Sequence, residues 1–185
     1  MKASKGFTLI ELLLTLGVVA ILLVAVFVVY PQVTTRIQVN REMAGYRAIA
    51  ASIRTLYPRP PYTGLNGGLL RQAGLVPKSF DLPEGSNGIR NVWGSTVNIS
   101  AWGSSDSVPG GTTRVRLVTT GVPQEACILM AQGFFEFAEQ AYVAPTGQPP
   151  WQPNYLVSRN DPALMAQLCA AENTNGFTMG IFFQP

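Results

Sequence analysis

Three hydrophobic patterns follow one another along the chain. Residues 12–35 carry no charged side chain, and 12–30 are almost continuously apolar, LLLTLGVVAILLVAVFVVY. As a helix that stretch covers about 28 Å, close to the roughly 30 Å hydrocarbon core of a bilayer. From Val39 the pattern becomes one-sided. Val39, Met43, Tyr46, Ala50, Ile53 and Tyr57 recur at intervals of three and four, while Arg36, Arg41, Arg47 and Arg54 lie off the stripe, as in a helix packed on one face. Pro31, with no amide donor and a ring that crowds the preceding turn, is placed to bend the helix, which continues beyond it. Pro58, Pro60 and Pro61 stop it, so the spacing predicts a rod over 7–57, roughly 75 Å long.

Beyond the rod the period changes. Residues 58–90 are rich in glycine and proline and read as a wrapped connection with one short helix over 65–73, ended by Gly74. Val97 and Ile99, then Val115, Leu117 and Thr119, alternate with polar neighbours, which is the period of half-buried strands over 96–101 and around 115–119. Trp93-Gly94-Ser95 reads as a turn from a short strand near Ile89, and 104–112 as an exposed loop. Pro123 opens a helix at its first position, with Glu125 at the positive helix end and Cys127, Ile128 and Ala131 turned inward. Tyr142 and Val143 suggest a strand before a loop over 145–153. Asp161-Pro162 caps a last helix carrying Leu164, Met165, Leu168 and Cys169. The final strand, 177–183, alternates imperfectly and reads as central and buried on both faces.

The chemistry gathers at the N-terminus. Glu11 sits just inside the apolar run, where an ionised carboxylate deep in lipid costs about 2.5 to 3.5 kcal/mol, so it demands a partner. The six residues before the run hold Lys2 and Lys5, end in Gly6, and lack the apolar region and small-residue site of a secretory signal peptide. A cut between Gly6 and Phe7 leaves the apolar helix on the mature chain and creates an α-amino cation four residues from Glu11.

Lys5-Gly6-Phe7-Thr8-Leu9-Ile10-Glu11 resembles the processing motif of type IV pilins and of the pseudopilins of type II secretion. The resemblance implies cleavage after Gly6 by a membrane prepilin peptidase and methylation of the new N-terminus at Phe7. It also implies filament assembly through Phe7 and Glu11. The long helix, the glycine-rich connection, Asn91-Val92-Trp93-Gly94, the step from Val122-Pro123 to Cys127, and Cys169 before an aromatic last strand resemble the type IVb pilins, especially the conjugative thin-pilus type. The six-residue leader with Phe7 looks instead like the type IVa class.

The implied fold is α+β, a long N-terminal helix on an antiparallel sheet head with short helices and one C-terminal disulfide. The expected organisation is a leader over 1–6, an apolar transmembrane and filament-core helix over 7–31, an amphipathic helix over 32–57 and a head over 58–185. The implied partners are copies of the chain in a helical filament, the peptidase, an assembly platform with its ATPase, the inner membrane before assembly, and a host-cell or recipient-cell surface. The precursor is then an inner-membrane protein with a periplasmic head, and the product an extracellular pilus for adhesion, aggregation or conjugation. A minor pilin or a pseudopilin shares the same N-terminus and is the alternative.

Composition narrows these readings. The leader lysines place the N-terminus in the cytoplasm, so Cys127 and Cys169 are exported to where disulfides form. One bridge is expected between them, closing a loop of about 43 residues and stabilising by roughly 4 kcal/mol. The alternatives are two free thiols or a metal pair, and a chain with no histidine cannot complete an ordinary zinc site. No metal or other cofactor is expected. The net charge of +3 includes both leader lysines and is no nucleic-acid signature. The lack of histidine also removes the commonest general base. Asp81, Glu84, Asp106, Glu125, Glu136, Glu139, Asp161 and Glu172 are scattered, and Glu136 with Glu139 reads as an exposed pair on one turn. A membrane-tethered periplasmic enzyme is thus the remote alternative, and assembly, not catalysis, is the expected chemistry. Contacts between heads are expected from 104–112, from 145–153 with Trp151, and from 65–74.

Overall fold

The computed structural model describes residues 8–80, 88–102, 113–138, 140–148, 152–171, 173 and 175–185. Its first element, α1, is the helix Leu9–Leu56, within two residues of the rod the spacing predicts. It remains helical through Pro31. One turn further on, Thr34 and Thr35 donate their hydroxyls to the Pro31 carbonyl at 2.9 and 3.0 Å, which satisfies polar groups in a stretch short of other partners. The chain forms two compact units, divided between Ile37 and Gln38.

The second unit is a head built on one antiparallel sheet. Its strands are β1 (Ile89–Arg90), β2 (Thr96–Trp102), β3 (Arg114–Val122), β4 (Gln140–Pro145), β5 (Leu156–Ser158) and β6 (Phe177–Phe183), in the order β1-β2-β3-β6-β4-β5. The C-terminal strand β6 pairs with both β3 and β4. It is buried along most of its length, which explains why its sequence does not alternate cleanly. Strands β2 and β3 keep the predicted alternation: Val97, Ile99, Val115, Leu117 and Thr119 are buried. Three helices complete the head, α2 (Gly67–Gln72), α3 (Gln124–Phe134) and α4 (Pro162–Ala170). Asn66 caps α2 by accepting from the Leu69 amide at 2.9 Å, and Asp161 caps α4 by accepting from the Leu164 amide at 3.0 Å.

The head half of α1 supplies the spine of the core. Val39, Met43, Tyr46, Ala50 and Ile53 are buried as the stripe requires, Tyr57 is half-buried, and the four arginines are exposed. The Tyr46 ring lies 5.5 Å from Phe80 and 5.8 Å from Phe134. Gly45 admits that packing, because a Cβ there would stand 1.7 Å from the Phe80 ring. Cys127 of α3 and Cys169 of α4 are buried and joined, with Cα atoms 5.7 Å apart.

Four expectations need correction. Pro123 is the cap residue before α3, not its first helical residue. Ile128 does not turn inward: it is 39% exposed, because Cys127, Met130, Ala131 and Phe134 already fill the inner face. The helix in the glycine-rich connection is shorter than 65–73, since Asn66 fixes where it starts. Strand β5 was not anticipated, because three residues cannot establish a period. Residues 104–112, Trp151, Asp81, Glu84, Asp106, Glu139 and Glu172 lie outside the described residues.

One buried acid stands in the core. Glu42 is fully buried and accepts the Val92 amide at 2.9 Å through Oε2. Its Oε1 and the Tyr46 hydroxyl have no hydrogen-bond partner among the described residues. Burial raises the Glu42 carboxyl from about 4.5 to about 7, against the smaller opposing effect of the Val92 amide.

Two predictions follow from these contacts. The proton on Glu42 is held more tightly in the folded than in the unfolded chain. Its burial therefore costs little below pH 4.5, and the cost grows to about 3 kcal/mol as pH rises through 7. Glu42→Gln, which keeps an acceptor for Val92 without the charge, should match the parent at pH 4 and exceed it at pH 8. Urea midpoints of the detergent-solubilised protein measure this, and parallel pH profiles for the two proteins would refute it. Replacing Cys127 and Cys169 together by serine removes a cross-link 42 residues apart in sequence and should lower stability by about 2–4 kcal/mol, read in the same assay against the disulfide-bonded parent.

Candidate assembly segment

The first unit offers little chemistry and one dominant physical property. From Leu9 to Tyr30 the large apolar side chains are exposed all round the helix: Leu12, Leu13, Leu14 and Leu16 are each more than half exposed, and Phe27 is 76% exposed. The most apolar 18-residue window of α1 has a mean hydropathy of 3.2 and none of it is buried. A helix that is apolar on every side belongs in lipid or among other apolar helices. Gly17 has nothing within 4 Å, so it leaves a notch in that surface.

Glu11 lies in the first turn and is exposed. Its amide donates to the Thr8 carbonyl at 3.1 Å and the Thr8 hydroxyl at 3.4 Å, so Thr8 ties down the start of the helix. The carboxylate sits at the positive end of the helix dipole, which favours it. Thr15, the next polar side chain, is satisfied by the Leu12 carbonyl at 2.9 Å. Between Thr8 and Arg36, Glu11 therefore carries the one ionisable group other than the Tyr30 phenol. Gly6 and Phe7 lie outside the described residues.

The other sequence candidates are dispersed through the head. Cys127 and Cys169 meet as a disulfide. Glu136 forms a two-point ion pair with Arg47 of α1, at 2.8 Å to Nε and 2.7 Å to Nη2, and both side chains are about half exposed. Among the described residues no three histidine, cysteine, aspartate or glutamate side chains come together as a metal site. Glu42 was not singled out from the sequence. Its signal was present, since it falls three residues after Val39 and four before Tyr46, on the buried stripe itself.

No curated protein matches the chain. Among solved structures it is similar to one titled as a type IV b pilin from Salmonella typhi. The identity is 18% and the TM-score 0.54, over 78% of this chain and 98% of that one. That likeness bears on the fold alone. The prokaryotic N-terminal methylation motif matches residues 1–27, across Gly6, Phe7 and Glu11. The family model described as PilS N terminal matches residues 36–178, most of the head with the head-packed part of α1. The chain thus belongs to the PilS family, carries the N-terminal methylation motif of prokaryotic pilin-type proteins, and has the fold seen in a type IV b pilin.

Proposed function

We propose that the protein is a prepilin that is cut between Gly6 and Phe7, methylated on Phe7, and polymerised through its apolar helix into the core of a type IVb-like pilus. The observation that carries this reading is a helix apolar on every side with an acid in its first turn, inside a stretch that matches a methylation motif. Pilins are structural proteins, and nothing in this assembly calls on a catalytic group of the chain.

Glu11 makes assembly depend on processing. Before cleavage the Gly6–Phe7 amide carries no charge, so the backbone at Phe7 offers the acid no cation. Cleavage creates an ammonium at Phe7. Within one chain that group lies one turn from Glu11 and pairs with it weakly. In a filament it faces the Glu11 of a neighbouring copy among apolar helices. There a charge pair fixes register, and removing one partner costs several kcal/mol because the other stays buried alone.

The leader lysines orient the precursor with its N-terminus in the cytoplasm and its head in the periplasm, where the Cys127–Cys169 bridge forms. A prepilin peptidase, an assembly platform and its ATPase are the machinery this sequence of events requires. The finished fibre displays the heads to other cells, for adhesion, aggregation or conjugative mating.

Two variants separate the steps. Glu11→Ala should leave the fold and the leader cut intact while abolishing sheared pili, scored by immunoblotting shear and membrane fractions. Normal pili from that variant would remove the pairing role. Gly6→Leu should instead leave the chain with its leader, because a peptidase site that selects glycine has no room for a branched side chain. Intact-mass spectrometry reads both, and a parent chain that never loses residues 1–6 under a competent peptidase overturns the proposal.

A further inference from the structure

The face of the sheet turned away from the α1 stripe carries a different kind of surface. Strand alternation places Ser100 and Trp102 of β2, Arg114 and Arg116 of β3, Phe182 of β6 and Tyr142 of β4 on it, opposite in sense to the buried Ile99, Val115, Leu117 and Ile181. Register brings them side by side. Trp102 stands opposite Arg114, and Arg116 stands between Ser100 and Phe182. The rings form a continuous row: Trp102 to Phe182 is 4.9 Å between centroids, and Phe182 to Tyr142 is 5.8 Å edge to face. Arg116 lies over the Trp102 ring at 5.1 Å and donates from Nε to Ser100 Oγ at 3.1 Å, so its guanidinium is fixed in orientation.

At the end of this row opens a groove of about 620 Å³, lined by Arg114, Phe137, Gln140, Tyr142, Phe182 and Gln184 among others. Trp102 beside it keeps 42% of its surface exposed. Arg114 and Gln140 are exposed, and Gln184 is steadied by donating to the Thr113 carbonyl at 3.3 Å. Arg114 forms no ion pair among the described residues.

We propose that this groove is a binding site for a carboxylate-bearing sugar. Each requirement of such a ligand is met by a different group. The apolar face of a pyranose ring packs on aromatic side chains, and Phe182 and Tyr142 line the groove. Sugar hydroxyls both donate and accept, as do the side-chain amides of Gln140 and Gln184. A carboxylate takes two parallel hydrogen bonds from a guanidinium, which Arg114 carries at the mouth. An extended peptide fits less well. Strand addition needs an open sheet edge, whereas the edges here are β1 and β5, of two and three residues, and the groove lies at the end of the inner strands β3, β4 and β6.

The proposal concerns the subunit and does not depend on polymerisation, so the two readings fail separately. The test is saturation binding to the full-length protein in detergent, followed by intrinsic tryptophan fluorescence. The probes are 3′-sialyllactose, a trigalacturonate and neutral lactose. An acidic probe should bind at least about tenfold more tightly than lactose, and Arg114→Gln should cut that affinity by about tenfold, the worth of one charge-assisted pair. Gln140→Ala should weaken binding without moving the thermal midpoint, while Arg47→Gln, on α1 at the ion pair with Glu136, should leave it unchanged. Preference for sialyllactose points to host-type glycans, and preference for the uronate to microbial surface polymers. Either supports the site. Equal binding of lactose, no saturable binding of any probe, or full affinity in Arg114→Gln overturns it.

Discussion

Everything in this chain depends on one helix serving two environments. From Leu12 to Tyr30 the large apolar side chains described in α1 are exposed on every side of the helix. From Gln38 onward the same helix shows one apolar stripe and an arginine-bearing face. The first pattern can only be satisfied by lipid or by other helices. The second is satisfied by a head that closes over it through Phe80, Phe134 and the turn that carries Val92. Under the proposed reading the chain needs both, since a subunit stored in a membrane must still hold a folded head outside it.

The head is tied at its two ends by different means. On the N-terminal side, small residues let neighbours come close: a Cβ at Gly45 would meet the Phe80 ring, and one at Gly133 would meet Met43 at under 3 Å. On the C-terminal side the last strand enters the middle of the sheet, between β3 and β4, and the disulfide joins the helices α3 and α4 that precede β4 and β6. Truncation of β6 would remove a central strand, not an edge, so β6 is as necessary to the core as the head half of α1.

Much of this was legible in the sequence because its signals are local. The uncharged run, the stripe from Val39 to Tyr57, the Asp161-Pro162 cap and the alternation at Val97 or Val115 each need only a few residues to be read. What escaped depends on partners far away in sequence. Strand β5 exists because Val157 pairs with Ala141 of β4, and three residues carry no period of their own. Ile128 sits at helical spacing to be inward, yet neighbouring residues already occupy the inner face. Glu42 was overlooked because an acid is expected on the solvent side, although its position on the stripe gave it away. The aromatic row of Trp102, Phe182 and Tyr142 joins three strands whose order a sequence does not state.

The two acids of α1 show how one physical problem takes two solutions. Glu42 is enclosed by its own head, so the fold can supply an amide from Val92 and leave the carboxyl room to hold a proton near neutral pH. Nothing in its surroundings has to change during the life of the protein. Glu11 stands exposed on the apolar part of α1, away from the residues that enclose Glu42. Under the proposed reading its cation is made by cutting the chain four residues away, and it meets that cation best on another subunit. The unsatisfied group is then the reason a processed subunit favours the filament over the bilayer. A chain that solved Glu11 internally, as it solves Glu42, would fold as well and have less reason to assemble.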